Sequence, residues 1–309
     1  TKVLSTSTID MTNLGDFDNQ RWDKPLVSIC VLTYNHEKFV RKAIDSFLMQ
    51  KVNFGVEIVI HDDASEDLTQ DILKDYANRY PSIFKLLLQS ENQRSKFGSG
   101  MNPRFNYPRV KGEYIVLCEG DDYWTDPSKL QKQVDYLKAN SKTSGVFHET
   151  QILELDKFRP FRVNLPQVVN TKMMFSEVIP FHTSSIMFRT EDISNYPDAF
   201  TNFASGDFLL FFWLSLKGDL HKVEIKPSVY RKHSGGVTQS SVHKSVEHQL
   251  NRIKMLRFFN DYADGEYKEQ YNKVLLVHIF EILKFSNIGV GELISEFIRR
   301  KKRNWKHWI

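Results

Sequence analysis

Three carboxylates fall within four positions at Glu119, Asp121 and Asp122, with Gly120 between the first two and Tyr123 and Trp124 following. Gathered at the end of an apolar run, they repel one another unless something positive sits among them. Hard oxygen ligands suit Mg²⁺ or Mn²⁺, so the pattern points to a divalent ion carrying a diphosphate. Two more polar clusters close apolar runs in the same way: Thr33-Tyr34-Asn35-His36-Glu37 and Asp62-Asp63-Ala64-Ser65. Together the three supply an aromatic ring, a carboxylate able to accept an imide N–H, and a metal-binding carboxylate. A uridine diphosphate needs those groups, and the chemistry expected is that of an enzyme acting on a nucleotide-linked substrate.

The elements that must position these clusters follow from hydrophobic pattern. Leu26 to Leu32 is a continuous β-branched run, as in a strand buried on both faces. Val56 to Ile60, Ile83 to Leu88 and Glu113 to Cys118 read as further strands. Between them, Phe39, Val40, Ala43, Ile44, Phe47 and Leu48 recur at helical spacing after a capping Asn35. A second helix is expected after a capping Ser65, and a third from Asp126-Pro127. Strands alternating with helices predict an α/β fold with a mostly parallel central sheet and helices on both faces. In such sheets ligands bind at the carboxyl ends of the strands, where the three clusters stand.

Beyond residue 150 the pattern is less regular. Ser184 to Arg189 and Lys222 to Tyr230 read as strands, with a helix over Phe208 to Leu216 between them. Helices are expected over Val242 to Tyr262, Glu266 to Phe285 and Gly291 to Ile309. The division expected is a polar tail over 1–24, an α/β domain over 25–238 and a helical C-terminal region over 239–309.

The net charge of +4 is mild and its basic residues are not spread as nucleic-acid binding requires. Cys30 and Cys118 lie inside apolar runs and read as buried free thiols, which points to a reducing compartment. No apolar run approaches the roughly 20 residues of a membrane span, so a soluble or peripherally bound protein is expected, cytoplasmic in view of its free thiols. Over 292–309, Leu293, Phe297, Trp305 and Trp308 mix with Arg299, Arg300, Lys301, Lys302, Arg303 and Lys306. That composition fits an interfacial helix on the inner face of the cell membrane, or a charged helix packed on protein. A homo-oligomer is left open.

The segments Pro25–Asn35 (PLVSICVLTYN), Glu57–Ser65 (EIVIHDDAS) and Lys111–Trp124 (KGEYIVLCEGDDYW) resemble the signatures of family 2 glycosyltransferases with the GT-A fold. The resemblance continues through Lys129–Val134, Thr183–Arg189, Ser205–Asp207 and Tyr230–Gly236, covering about Pro25 to Val237. It implies that Thr33, Tyr34 and Asn35 line a nucleoside pocket, with Glu37 beside them, and that Asp63 accepts a hydrogen bond from the base. Asp121 and Asp122 take the metal and ribose position, and Glu119 stands where an aspartate is commoner. Arg94 or Arg104 would neutralise phosphate. Asp207 matches the catalytic base, His233 would ligate the metal or bond the diphosphate, and His182, Thr183 and Ser184 lie near the acceptor.

The function the resemblance implies is inverting transfer of a hexosyl or N-acetylhexosaminyl group from a nucleotide-sugar, expected to be a UDP-sugar. The acceptor would be a hydroxyl of a glycan or lipid-linked molecule of the cell envelope, and the cofactor Mn²⁺ or Mg²⁺. A sugar-phosphate nucleotidyltransferase would show a Gly-rich basic loop after the first strand, where this chain has Thr-Tyr-Asn-His-Glu. A non-catalytic nucleotide-sugar binding module is the other alternative.

Overall fold

The computed structural model describes residues 12–13, 22–175, 179–198, 200, 203, 206–235 and 245–285. In chain order the elements are β1 (Thr12–Asn13), β2 (Val27–Thr33), α1 (Val40–Leu48), β3 (Lys51–Val52), β4 (Val56–Asp62), α2 (Thr69–Arg79) and β5 (Phe84–Leu88). Then come α3 (Gln93–Phe97), β6 (Tyr114–Leu117), α4 (Lys129–Ala139), β7 (Gly145–Phe147), β8 (Thr150–Glu154), β9 (Lys157–Pro160), β10 (Val168–Val169) and α5 (Thr171–Met174). The last are β11 (Met187–Arg189), α6 (Gly206–Lys217), β12 (Leu220–Lys222), β13 (Ser228–Arg231), α7 (Val246–Tyr262) and α8 (Lys268–Phe285).

Eight strands form the main sheet in the order β10-β12-β7-β11-β6-β2-β4-β5. Strands β5, β4, β2, β6, β7 and β12 run in one direction, and β11 and β10 oppose them. The mostly parallel α/β sheet is as expected. The chain passes from β2 outward to β4 and β5, then crosses back to place β6 on the other side of β2. That reversal opens a crevice at the carboxyl ends of β2 and β6. Alternate residues Val27, Ile29 and Val31 of β2 share one core with Ala43, Ile44 and Phe47 of α1, Ile72 and Leu73 of α2, and Leu130, Val134 and Leu137 of α4.

Helix boundaries correct three expected caps. Asn35 does not cap α1: its side chain accepts from the Glu66 N–H at 2.8 Å, tying two loops together, while the helix begins at Val40. Ser65 does not cap α2 either. Its hydroxyl bonds Asp62 at 2.6 Å, and Asp67 takes the Thr69 N–H at 2.9 Å. Asp126 accepts from the Ser128 N–H at 2.9 Å, so α4 starts at Lys129 rather than at Pro127.

The expected strand over Lys222 to Tyr230 is two strands in two sheets. β12 belongs to the main sheet, and β13 to a three-stranded sheet of order β13-β8-β9. Ser184 and Ser185 lie in a 3-10 turn over Thr183–Ser185, ahead of the short β11. Helix α6 is buried on every side over Phe208 to Ser215, as its unbroken apolar run demands.

The described residues fall into two compact units: the first runs to His233 without Phe175, and the second takes Phe175 and the described residues from Ser234 onward. Within the second, α7 and α8 pack together and His278 Nδ1 lies 2.6 Å from Gln249 Oε1. The expected domain boundary at 238, the tail over 1–24 for the most part, and the amphipathic segment over 292–309 lie outside the described residues. No described helix is long and apolar enough to cross a membrane.

Candidate active site

Each polar cluster is seated at a strand end by bonds to its neighbours. Thr33 is buried and donates to Asp62 Oδ2 at 2.7 Å, while Asp62 also accepts from Ser65 and from Gln70. Asn35 takes a left-handed conformation with φ 54° and donates its N–H to Ser65 Oγ at 2.9 Å. Tyr34, 43% exposed, projects from this bonded frame with a ring face available to a base. Glu37 accepts from the Leu68 N–H and its own N–H bonds Asp67, so it braces the loop as well as facing it.

Asp63 sits buried at the end of β4. Its two carboxylate oxygens accept from the Gln93 and Arg94 N–H groups at 2.6 and 3.0 Å. A carboxylate has about four acceptor positions, so capacity remains for a ligand. These bonds fix the loop that carries Arg94, whose charge is felt by Glu119 and Asp207. Arg104, the other candidate for phosphate, lies with its guanidinium 4.4 Å over the Phe97 ring.

The acidic turn is pinned at almost every residue. Gly120 donates to the Leu32 carbonyl at 2.9 Å, so close to β2 that a Cβ would stand 2.5 Å from Thr33 Cγ2 and 2.9 Å from His36 Nδ1. Tyr123 exchanges backbone bonds with Val229 of β13 at 3.2 and 2.8 Å. Trp124 is buried and donates its indole N–H to the Ser184 carbonyl at 2.9 Å.

Arg231, which the sequence did not single out, closes the turn. Its N–H reaches Asp122 Oδ1 at 3.0 Å, and its guanidinium reaches the Asp121 carbonyl at 2.8 Å while lying 4.6 Å over Tyr123. Its only signal in the sequence is its place between Tyr230 and Lys232.

The four acids of the cleft differ in environment. Asp121 Oδ2 lies 3.0 Å from His233 Nε2 and 3.7 Å from His36 Nε2. Burial opposes its charge, but these imidazoles outweigh burial and hold its pKa below the usual range. Burial, with Asp121 adjacent, pushes Asp122 well up, and its Oδ2 is 3.8 Å from His182 Nδ1. Burial also drives Glu119 well up, assisted by the charges of Asp207 and then Asp121.

Asp207, in the first turn of α6, keeps a solvent-open side but is surrounded by enough protein to raise its pKa. Thr183 Oγ1 donates to its Oδ2 at 3.0 Å and opposes that rise. His182, stacked 4.4 Å from Tyr230, has its pKa brought down to about 4 by burial and is neutral near pH 7.

The structure thus brings Asp121, His233 and His36 together on one side of the acidic turn, with Asp122 and His182 as a second pair. Among the described residues no group of three or more His, Cys, Asp or Glu side chains forms a ready cage for a metal ion. The carboxylates of Asp121 and Asp122 are the hard oxygen donors that Mn²⁺ or Mg²⁺ prefers, and diphosphate and water would have to supply most of the remaining positions.

The family model described as glycosyl transferase family 2 matches residues 28–196. The chain belongs to that family. An uncharacterized protein of Mycobacterium tuberculosis is 34% identical over 220 residues, which span 70% of this chain and 61% of that protein. The putative family relative EpsE of Bacillus subtilis, named a glycosyltransferase, is 33% identical over 53% of this chain and 56% of its own length. The chain therefore spans about three fifths of these relatives.

Among solved structures, S. aureus TarS 1-349 in complex with UDP-GlcNAc is similar with a TM-score of 0.62. The match is 18% identical and covers 86% of this chain and 77% of that one. The mannosyltransferase PcManGT of Pyrobaculum calidifontis, in complex with GDP-Man and Mn²⁺, gives a TM-score of 0.53 at 14% identity over 98% and 86%. Both support the GT-A architecture of the family 2 fold.

Proposed function

We propose that this chain transfers a sugar from a nucleotide diphosphate donor, a UDP-sugar, to an acceptor hydroxyl with inversion at the anomeric carbon. One observation carries the reading: Asp207, remote in sequence, is bound at 3.0 Å by Thr183, whose neighbour His182 lies 3.8 Å from Asp122 of the acidic turn. Base candidate and diphosphate candidate thereby belong to one cleft.

Tyr34 stacks on the base and Asp63 accepts its N–H, with Thr33 and Asn35 shaping the nucleoside wall. Arg94 faces the diphosphate. Asp121 and His233 would hold a divalent ion, with Asp122 as a further carboxylate, and the ion would supply Lewis-acid stabilisation of charge on the departing diphosphate. Asp207 removes the proton from the acceptor hydroxyl as its oxygen bonds to the anomeric carbon and the bond to the diphosphate oxygen breaks. A carboxylate whose pKa is raised toward the working pH is a better base for this step. GDP-Man in the PcManGT complex keeps a guanosine donor as the alternative for this pocket.

Asp207→Asn tests the assignment. Its transfer rate should fall about 10²–10⁴-fold, the usual worth of general-base help, while calorimetric affinity for UDP is retained. Unchanged turnover would remove Asp207 as the base, and lost UDP binding would give it a structural role instead.

A further inference from the structure

Within the second unit, helix α8 packs against α7, with His278 buried beside Gln249. Val274, Leu275 and Ile282 share His278's side of the helix and are half-buried. The other side is also apolar. Leu276, Val277, Ile279 and Phe280 are exposed by 57, 45, 39 and 53%. Their spacings of three and four make them neighbours on the helix surface, so they form one patch. Lys273 and Lys284 flank it, held to Glu269 and Glu281. Exposed apolar residues are ordinary when scattered, whereas a contiguous patch with a charged margin marks an interaction surface.

Charge says what kind of partner it meets. Residues 268–309 contain nine Lys and Arg against four Asp and Glu, a net of +5. The first 267 residues contain 33 against 34, so the whole positive excess of the chain belongs to α8 and the stretch after it. Six of the nine, Arg299, Arg300, Lys301, Lys302, Arg303 and Lys306, follow the patch by about twenty residues, beside Trp305 and Trp308.

A second copy of the chain would set +5 against +5, and like charge opposes that pairing. A nucleic acid would answer the charge but presents mainly phosphate and polar base edges to Leu, Val and Ile side chains. An anionic bilayer answers both, with negative headgroups over an apolar interior.

We propose that the outer face of α8 is a docking surface for an anionic lipid bilayer. Leu276, Val277, Ile279 and Phe280 enter the boundary between headgroups and acyl chains, and the basic residues over 299–306 engage the headgroups. The helix lies along the membrane, since no described helix is long and apolar enough to cross one. The sequence alone pointed to 292–309 for such contact; α8 supplies the apolar area that makes a second signal, and stable attachment needs two. The surface is independent of which reaction the first unit performs.

The test is flotation of the 309-residue protein with vesicles of phosphatidylcholine alone or mixed with phosphatidylglycerol. Binding to the mixed vesicles only is expected, weakening as salt rises. Leu276→Gln combined with Phe280→Gln should weaken it at least about tenfold, with an unchanged Tm because both side chains are exposed. An environment-sensitive dye on Val277→Cys reads the contact with that pair intact. Cys30 and Cys118 are buried and leave the dye to the new thiol, whose emission should shift to the blue on mixed vesicles.

No flotation at low salt, an unshifted dye, or undiminished binding by the glutamine pair would overturn the surface. A lipid-free dimer that the pair converts to monomer would assign the face to a second copy instead. Binding to polyglutamate that the pair weakens as much would assign it to an acidic protein, and either result refutes the bilayer.

Discussion

Thr183 spends its one hydroxyl proton on Asp207 Oδ2, leaving the other carboxylate oxygen to receive a proton from an acceptor. The bond also sets the acidity of the base. Burial raises Asp207, and Thr183 and Arg94 pull it back by favouring the charged form. Thr183→Val removes one of those pulls, so the folded pKa moves further up. Activity needs the carboxylate ionised and falls as pH drops through its pKa, so the acidic limb of kcat/KM should begin at higher pH in the variant. A limb that stays in place would mean that Asp207 is not the group being titrated. This bond was not legible in the sequence, because it depends on a partner 24 positions away.

The acidic turn is an element whose shape depends on having no side chain at one position. Gly120→Ala would drive a Cβ into Thr33 and His36 at the end of β2, and the strand end is backbone-bonded and cannot yield. The turn must then lift away from Leu32, at a cost of about 1–3 kcal/mol for such overpacking. Expected results are a lower Tm and at least about tenfold weaker UDP binding by calorimetry; wild-type values for both would mean that the turn relaxes freely. Elements of this kind divide by how their sequence speaks. β2 and β4 were readable as continuous β-branched runs because they are buried on both faces. The β8–β9 hairpin was not, since its turn places Leu155 and Asp156 at φ 49° and 60° without the usual glycine or asparagine signal. Asn35 and Ser65 looked like caps, but they bond each other's loops across 30 positions rather than their own helices.

For the molecule's stability, one fully enclosed charge is Lys129, 4.3 Å over the Trp124 ring and 2.6 Å from Gln133 Oε1. Burial brings its pKa from 10.5 down to about 7. Below pH 7 folded and unfolded chains both carry the ammonium, and its desolvation cost is fully present. Between pH 7 and 10.5 the unfolded chain binds more protons, so this group makes stability rise with pH. Lys129→Met should therefore flatten the rise of Tm across that window, and parallel curves for the two proteins would refute the assignment. Family membership and the GT-A sheet were readable from motifs that end strands. The site's closure was not, because its clamp belongs to a different sheet.

That clamp has a consequence for how the protein comes into being. Arg231 grips Asp122 across 109 positions, and Tyr123 pairs with Val229 of the same strand. Contacts so distant in sequence are slow to close, because the intervening chain must be ordered first. The turn leaves the ribosome long before the strand that shapes it. A nascent chain that has not yet exposed Arg231 carries every carboxylate of the turn, but not the geometry that makes them a site.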